Sequence, residues 1–190
     1  MSQHERPGSA RRDELLERAY RYALAHGLAE LSLRPLAAAI GSSPRVLLFL
    51  FGSKDQLVRA LLGRARADEL AALRRAREAG GADDFAAAVR TTWGWLVDPA
   101  HRPMLVLWVQ AYARSLGEPD GPWTGFARQT VEDWLGLLAE VGGDDTGDGD
   151  PALGLAVLRG ALLDLLATGD AERTTAVVER YLRLVGAAAR

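Results

Sequence analysis

The sequence predicts an all-α protein of about nine helices. Three observations carry this: apolar residues recur at spacings of three and four along most of its 190 residues, no stretch shows the apolar–polar alternation of a strand, and Gly, Pro, Ser and Asp punctuate the chain at helix-length intervals. With 48% hydrophobic and 25% charged residues, the chain has enough apolar surface to bury a sizeable core.

Over residues 9–26, Leu15, Leu16, Ala19, Tyr20 and Ala23 share one face of a first helix, which Gly27 ends. Ser32 is placed to cap a second, short helix with Pro35 in its first turn and Leu36, Ala37 and Ile40 as its apolar face; Gly41 closes it. Ser43 and Pro44 supply a cap and a first helical residue for a third helix, stopped by Gly52. Ser53, with Gln56 three residues on, forms a capping box for a long helix through Leu57, Leu61 and Leu62 to about Ala79, before Gly80 and Gly81. Asp83 is the expected cap of the next helix, to about Val97, and Asp98 with Pro99 opens another to Leu116. After a turn at 117–122, residues 123–141 read as a helix, and the acidic run GGDDTGDGD at 142–150 as a loop. That run lacks the ordered ligands and closing Glu of a calcium-binding hand. Asp150 and Pro151 start a helix to about Thr168, and Gly169 with Asp170 a last one to about Ala188.

Two short helices separated by Gly41, Ser42 and Ser43 form a candidate helix-turn-helix. Charge is distributed to match: residues 1–64 carry ten Lys and Arg against six Asp and Glu, a net +4, whereas residues 65–190 carry thirteen against nineteen, a net −6. A cationic segment suited to phosphates is joined to one that has no such need. The expected division is a DNA-binding domain over 1–52 and a second helical domain over 53–190. Phosphate contacts are expected from Ser32, Arg34, Ser42, Ser43, Ser53 and Lys54, the last two at a helix start where free N–H groups favour an anion, and Pro44 belongs to the same expected DNA-binding surface. Arg11 and Arg12, at the start of the first long helix, extend this footprint or are simply solvated.

These residues resemble the N-terminal domain of the tetracycline-repressor (TetR) family of bacterial transcription regulators. The family's pattern is a Thr-like cap, an Ile-Ala pair, an Ala-Gly-Val-Ser turn, Leu-Tyr-x-x-Phe, then Ser-Lys and an acidic residue. Here those places hold Ser32, Leu36 with Ala37, Ile40 to Ser43 (IGSS), Leu47 to Phe51 (LLFLF) and Ser53 to Asp55 (SKD). The match spans roughly residues 10–62. One departure is chemical: where the family places Tyr and often His, this chain has Leu48 and Phe49, which neither donate nor accept hydrogen bonds. Base-edge reading then falls on Arg45, with Leu48 or Phe49 touching thymine methyls. The alternative is that Leu48 and Phe49 are buried against the helix that begins at Ser53.

The resemblance implies a homodimer joined through the last two helices, a small effector held in the middle of the chain, and release of a repressor from its operator. The helix from Pro151 is apolar almost all round, interrupted by Arg159 and Asp164. A second copy could therefore cover Leu155, Leu158, Leu162 and Leu166, with Val177, Tyr181 and Leu184 of the last helix; burial within one chain explains the same pattern. Four of the five Trp lie between residues 93 and 123. Trp93, Leu96, Met104, Trp108, Tyr112 and Phe126 are the expected effector contacts, and a filled core accounts for them equally.

The chain has no Cys, hence no disulfides or thiolate chemistry, and MSQHERPGSARR lacks the apolar stretch of a signal peptide. A cytoplasmic protein with no membrane span is expected. His4, His26 and His101 have no partners at metal-ligand spacing, and no phosphate loop, dinucleotide fingerprint or nucleophile elbow occurs. No catalysis, cofactor or metal is therefore expected. The functional expectation is a homodimeric repressor that leaves a palindromic operator on binding a small apolar or aromatic effector. A helical ligand-binding or adaptor dimer without sequence-specific DNA reading is the other class that fits.

Overall fold

The computed structural model describes residues 7–28, 31–80, 84–118, 120–140 and 150–188. Among them the backbone is helix and turn without strand, in the order α1 Pro7–His26, α2 Leu33–Ala39, α3 Pro44–Phe51, α4 Lys54–Gly80, α5 Phe85–Val97, α6 Arg102–Gly117, α7 Phe126–Ala139, α8 Pro151–Thr168 and α9 Ala171–Ala188. A short 3-10 turn, Pro99–His101, precedes α6. His4, Asp83 and the acidic run up to Gly149 lie outside the described residues.

Several expected ends are corrected. Asp84 caps α5, accepting from the Ala87 N–H at 2.7 Å. Asp98 opens the 3-10 turn rather than α6 itself. Residues 123–125 form a turn, closed by the Thr124 hydroxyl donating to the Gly121 carbonyl at 2.9 Å, so α7 begins at Phe126. Its first turn is served from afar, the Ser115 hydroxyl of α6 accepting from the Ala127 N–H at 3.1 Å.

Cα packing divides the chain into two units, the first of residues 1–67 and 106–127, the second of 68–105 and 128–190. The boundary expected between residues 52 and 53 falls inside the first. In that unit Leu15, Ala19, Leu36, Ala37, Leu47, Leu57, Leu61 and Leu107 are almost completely buried. Arg64 of α4 ion-pairs with Glu17 of α1 and lies over the Tyr20 ring, 4.9 Å from its centroid, tying the two helices.

In the second unit α5, α8 and α9 pack on one another around Phe85, Val89, Leu96, Leu158, Leu162, Val178 and Leu182. Gly154 allows the closest approach: a Cβ there would lie 2.8 Å from Phe85 Cζ. The Trp93 indole N–H donates to the Thr175 hydroxyl at 2.9 Å, fastening α5 to α9. At the turn between α8 and α9, Arg173 donates to both carboxylate oxygens of Asp164, at 2.6 and 2.7 Å, while Asp170 caps α9 through the Arg173 N–H.

Two expectations about α8 change. Over 18 residues with a mean hydropathy of 1.5 it is long and apolar enough to cross a membrane by length and composition, which the sequence reading had excluded. Here one face of it, with Leu155, Leu158, Leu162 and Leu165, packs on α5 and α9. Second, Leu155, Leu158, Leu162 and Tyr181, expected on an outward dimer face, are no more than 8% exposed and form the interior of this unit; Leu166 is half-buried. Because α5 covers that side, the outward stripe is Leu153, Ala156, Gly160, Leu163 and Ala167. On α9, Val177 and Leu184 remain outside, 49% and 61% exposed.

Gly154→Ala should destabilise the protein by roughly 1–3 kcal/mol, the cost of overpacking against an immobile buried ring; urea denaturation showing no loss would contradict this contact. The Arg173 hydrogen bonds hold the Asp164 carboxyl below its usual range. A lowered folded value means stability that is fully present above the unfolded pKa, about 4, and lost as pH falls through the folded one. Asp164→Asn should therefore lower the thermal midpoint at pH 7, and the gap to the parent should close in acid; a pH-independent gap would disprove the clamp.

Candidate nucleic-acid interface

The site is built on α2, α3 and the start of α4, all in the first unit. Ile40 and Gly41 end α2, and the Ser42 N–H reaches back to the Ala37 carbonyl at 2.8 Å. Ser43 then adopts extended backbone and its hydroxyl accepts from the Val46 N–H at 3.2 Å, with Pro44 as the first helical residue of α3. α2 and α3 meet at 101°, within the range of a helix-turn-helix. Gly52 closes α3 with φ +84°, a left-handed conformation that favours glycine, and its N–H donates to the Leu48 carbonyl at 2.8 Å. The Ser53 hydroxyl accepts from the Gln56 N–H at 3.1 Å, starting α4.

The cap expected from Ser32 differs. Ser32 stands at the position before α2 with extended backbone, but its side chain makes no capping bond. Its hydroxyl is left exposed.

The rotation of α3 about its axis answers the question that its apolar sequence leaves open. Leu47 and Phe51, one turn apart, are 1% and 5% exposed; Leu48 is 41% and Phe49 86% exposed. The buried side, toward α1 and α2, is thus taken by the first pair, leaving Leu48 and Phe49 outward. They share a face with exposed Arg45, at spacings of three and four. Val46, which sequence reasoning passed over, is also exposed.

The cations sort into two groups. On α1, Arg11 pairs with Glu14 at 2.6 Å and Arg18 with the same carboxylate at 2.6 Å; the hydrogen bond from Arg11, aided by Arg18, draws the Glu14 carboxyl below its ordinary range. Arg12 is half-buried with its guanidinium over the Phe51 ring, 4.9 Å from the centroid, so it supports α3 from behind. Arg34, Arg45 and Lys54 are exposed and make no ion pair among the described residues. The cations Arg34 and Arg45 are therefore unpaired on α2 and α3, while at the amino end of α4 Lys54 stands next to exposed Asp55, with the helix dipole adding positive potential. Ser42 departs from expectation, its hydroxyl being buried without a partner.

The expected effector contacts fall on both units: Trp93, Leu96 and Met104 in the second, Trp108, Tyr112 and Phe126 in the first. All but half-buried Tyr112 are buried. Trp108 and Tyr112 stack at a tilt, 5.2 Å between centroids. Within the second unit a cleft of about 140 Å³ is lined by Leu96, Pro99, Arg102, Leu105, Leu165 and Leu166. Sequence reasoning found Leu96 of these and missed the rest, which come from α6, α8 and the 3-10 turn.

The profile of bacterial regulatory proteins, tetR family, matches residues 15–61. A transcriptional regulator from Rhodococcus sp. Rha1 is 20% identical with a TM-score of 0.72 over 92% of this chain and 95% of its own. A TetR transcription regulator from Haloarcula marismortui is 19% identical with a TM-score of 0.72, over 94% and 98%. The multidrug binding protein EbrR, solved with imidazole, is 25% identical with a TM-score of 0.66, over 95% and 93%. No curated protein matches the chain.

Because Ser43 and Ser53 make capping bonds and Ser32 does not, Ser43→Ala and Ser53→Ala should each cost about 1 kcal/mol in urea denaturation. Ser32→Ala should cost a few tenths at most. Equal losses at all three would show that the hydroxyls do not decide these helix starts.

Proposed function

We propose, for a chain whose N-terminal domain is of the bacterial regulatory tetR family and whose helices follow the fold of solved transcriptional regulators, that it is a homodimeric repressor reading a palindromic operator. The observation that carries the reading is the outward edge of α3, where Arg45, Leu48 and Phe49 stand exposed between unpaired cations. α3 is an eight-residue rod that enters a major groove about 12 Å wide. Arg45 forms a bidentate contact with guanine, and Lys54, Arg34 and the first N–H groups of α4 hold phosphates. The DNA-binding part is proposed as residues 1–52, with 53–190 for assembly and effector binding. Such a protein works where DNA is, in the cytoplasm of a bacterial cell.

One α3 reads too few bases for a tight site. Twofold pairing doubles the contact and fixes half-site spacing. The outward stripe of α8, with Leu153 and Leu163 separated by Ala156 and Gly160 and followed by Ala167, suits close helix pairing, and Val177 and Leu184 extend it on α9. A small apolar or aromatic effector is proposed in the second unit, where Leu96 lines the cleft beside Arg102, with Trp93 and Met104 as further candidates and Trp108, Tyr112 and Phe126 as those of the first. Imidazole, bound by EbrR, is a fitting first probe. An effector that prefers dimers with the wrong spacing draws the population off DNA by its differential affinity.

Selection of bound duplexes from a random pool should recover an inverted repeat. Arg45→Ala should then lose roughly 1–3 kcal/mol on that repeat and less on random duplex. Recovery of no enriched sequence, or an equal loss on both duplexes, would defeat the reading.

A further inference from the structure

The outward edge of α3 is chemically lopsided. Of its exposed side chains, Arg45 alone has hydrogen-bonding groups, while Val46, Leu48 and Phe49 are hydrocarbon; Ser43 before it is half-buried, its hydroxyl accepting from the Val46 N–H. Major-groove edges differ in donors, in acceptors and in one apolar group, the thymine 5-methyl. A helix with a single donor fork can hydrogen-bond about one base; its remaining discrimination must come through apolar contact.

We infer that this chain reads its half-site chiefly through thymine methyl groups, with Phe49 and Leu48 making the contact and Arg45 setting register on one guanine. The inference rests on the DNA-binding reading above. Arg45 and Phe49 are four residues apart, about 6 Å along the helix, or roughly two base steps at 3.4 Å each. The guanine and the methyl-bearing pyrimidine are therefore near neighbours in the site. Phe49, 86% exposed in the free protein, loses water-facing surface when a methyl covers it. Charge complementarity with the backbone comes from exposed Arg34 and Lys54, on the helices either side of α3 in the chain, which favours a polyanion as the partner of the apolar patch.

The test replaces every thymine of the selected half-sites by uracil, which keeps pairing and removes only the methyl. Affinity measured by fluorescence anisotropy should fall about fourfold for each methyl contacted, the worth of one buried methyl. The same replacement in a random duplex should change nothing. Phe49→Ala, whose exposure leaves the fold intact, should bind thymine and uracil half-sites more nearly alike. Equal binding of both half-sites by the parent protein would overturn methyl reading while leaving DNA binding in place. Absence of binding to any duplex at low salt would overturn DNA binding and this inference with it. Undiminished thymine preference in Phe49→Ala combined with Leu48→Ala would overturn the assignment of these side chains.

Discussion

Burial of Leu47 and Phe51 decides how α3 is turned about its axis, and the exposed edge of the candidate site follows from that choice. Fully burying a Leu and a Phe contributes roughly 1.5–3 kcal/mol each. Rolling the helix to hide Phe49 instead would expose both, since the residues lie on opposing faces. The Ser43 cap, the left-handed Gly52 and the Arg12 guanidinium over Phe51 hold the helix at its two ends and from behind. An exposed Phe49 is the consequence of satisfying its neighbours.

Electrostatics repeats the same division. Carboxylates on α1 neutralise the arginines that brace the fold, through Glu14 with Arg11 and Arg18 and through Glu17 with Arg64. Arg34, Arg45 and Lys54 have no such partners among the described residues. A modest net charge of +4 over residues 1–64 thereby becomes a concentrated one, because the braced cations lie close to their own counter-charges.

Helix ends were legible in the sequence wherever the signal is local. Ser43 with Pro44, Gly52, Ser53, Asp150 with Pro151, and Gly169 all stand where their chemistry puts them. Ends that depend on distant partners were not: α7 starts three residues late because Ser115, a helix away, serves its first turn. Facing direction was illegible for α3 and α8 for one reason. Both are apolar on every side, so periodicity cannot choose which side is covered, and only the neighbouring helices decide. The spacing of the candidate site could thus be read in advance, but not the exposure of Leu48 and Phe49. Nor could the diversion of Arg12 and Ser42 to structural positions, each of which depends on packing.

The near-uniform apolarity of α8 bears on the life of the chain before it folds. By length and composition this segment alone would pass for a membrane span, as the core helix of a folded domain can. Arg159 stands at its middle and Asp164 five residues on, and a charge at the centre of such a segment opposes insertion by roughly 2.5–3.5 kcal/mol. In the folded protein Arg159 lies over the Trp134 ring and Asp164 grips Arg173. The same two side chains thus disfavour misrouting of the nascent helix and later hold it against its neighbours.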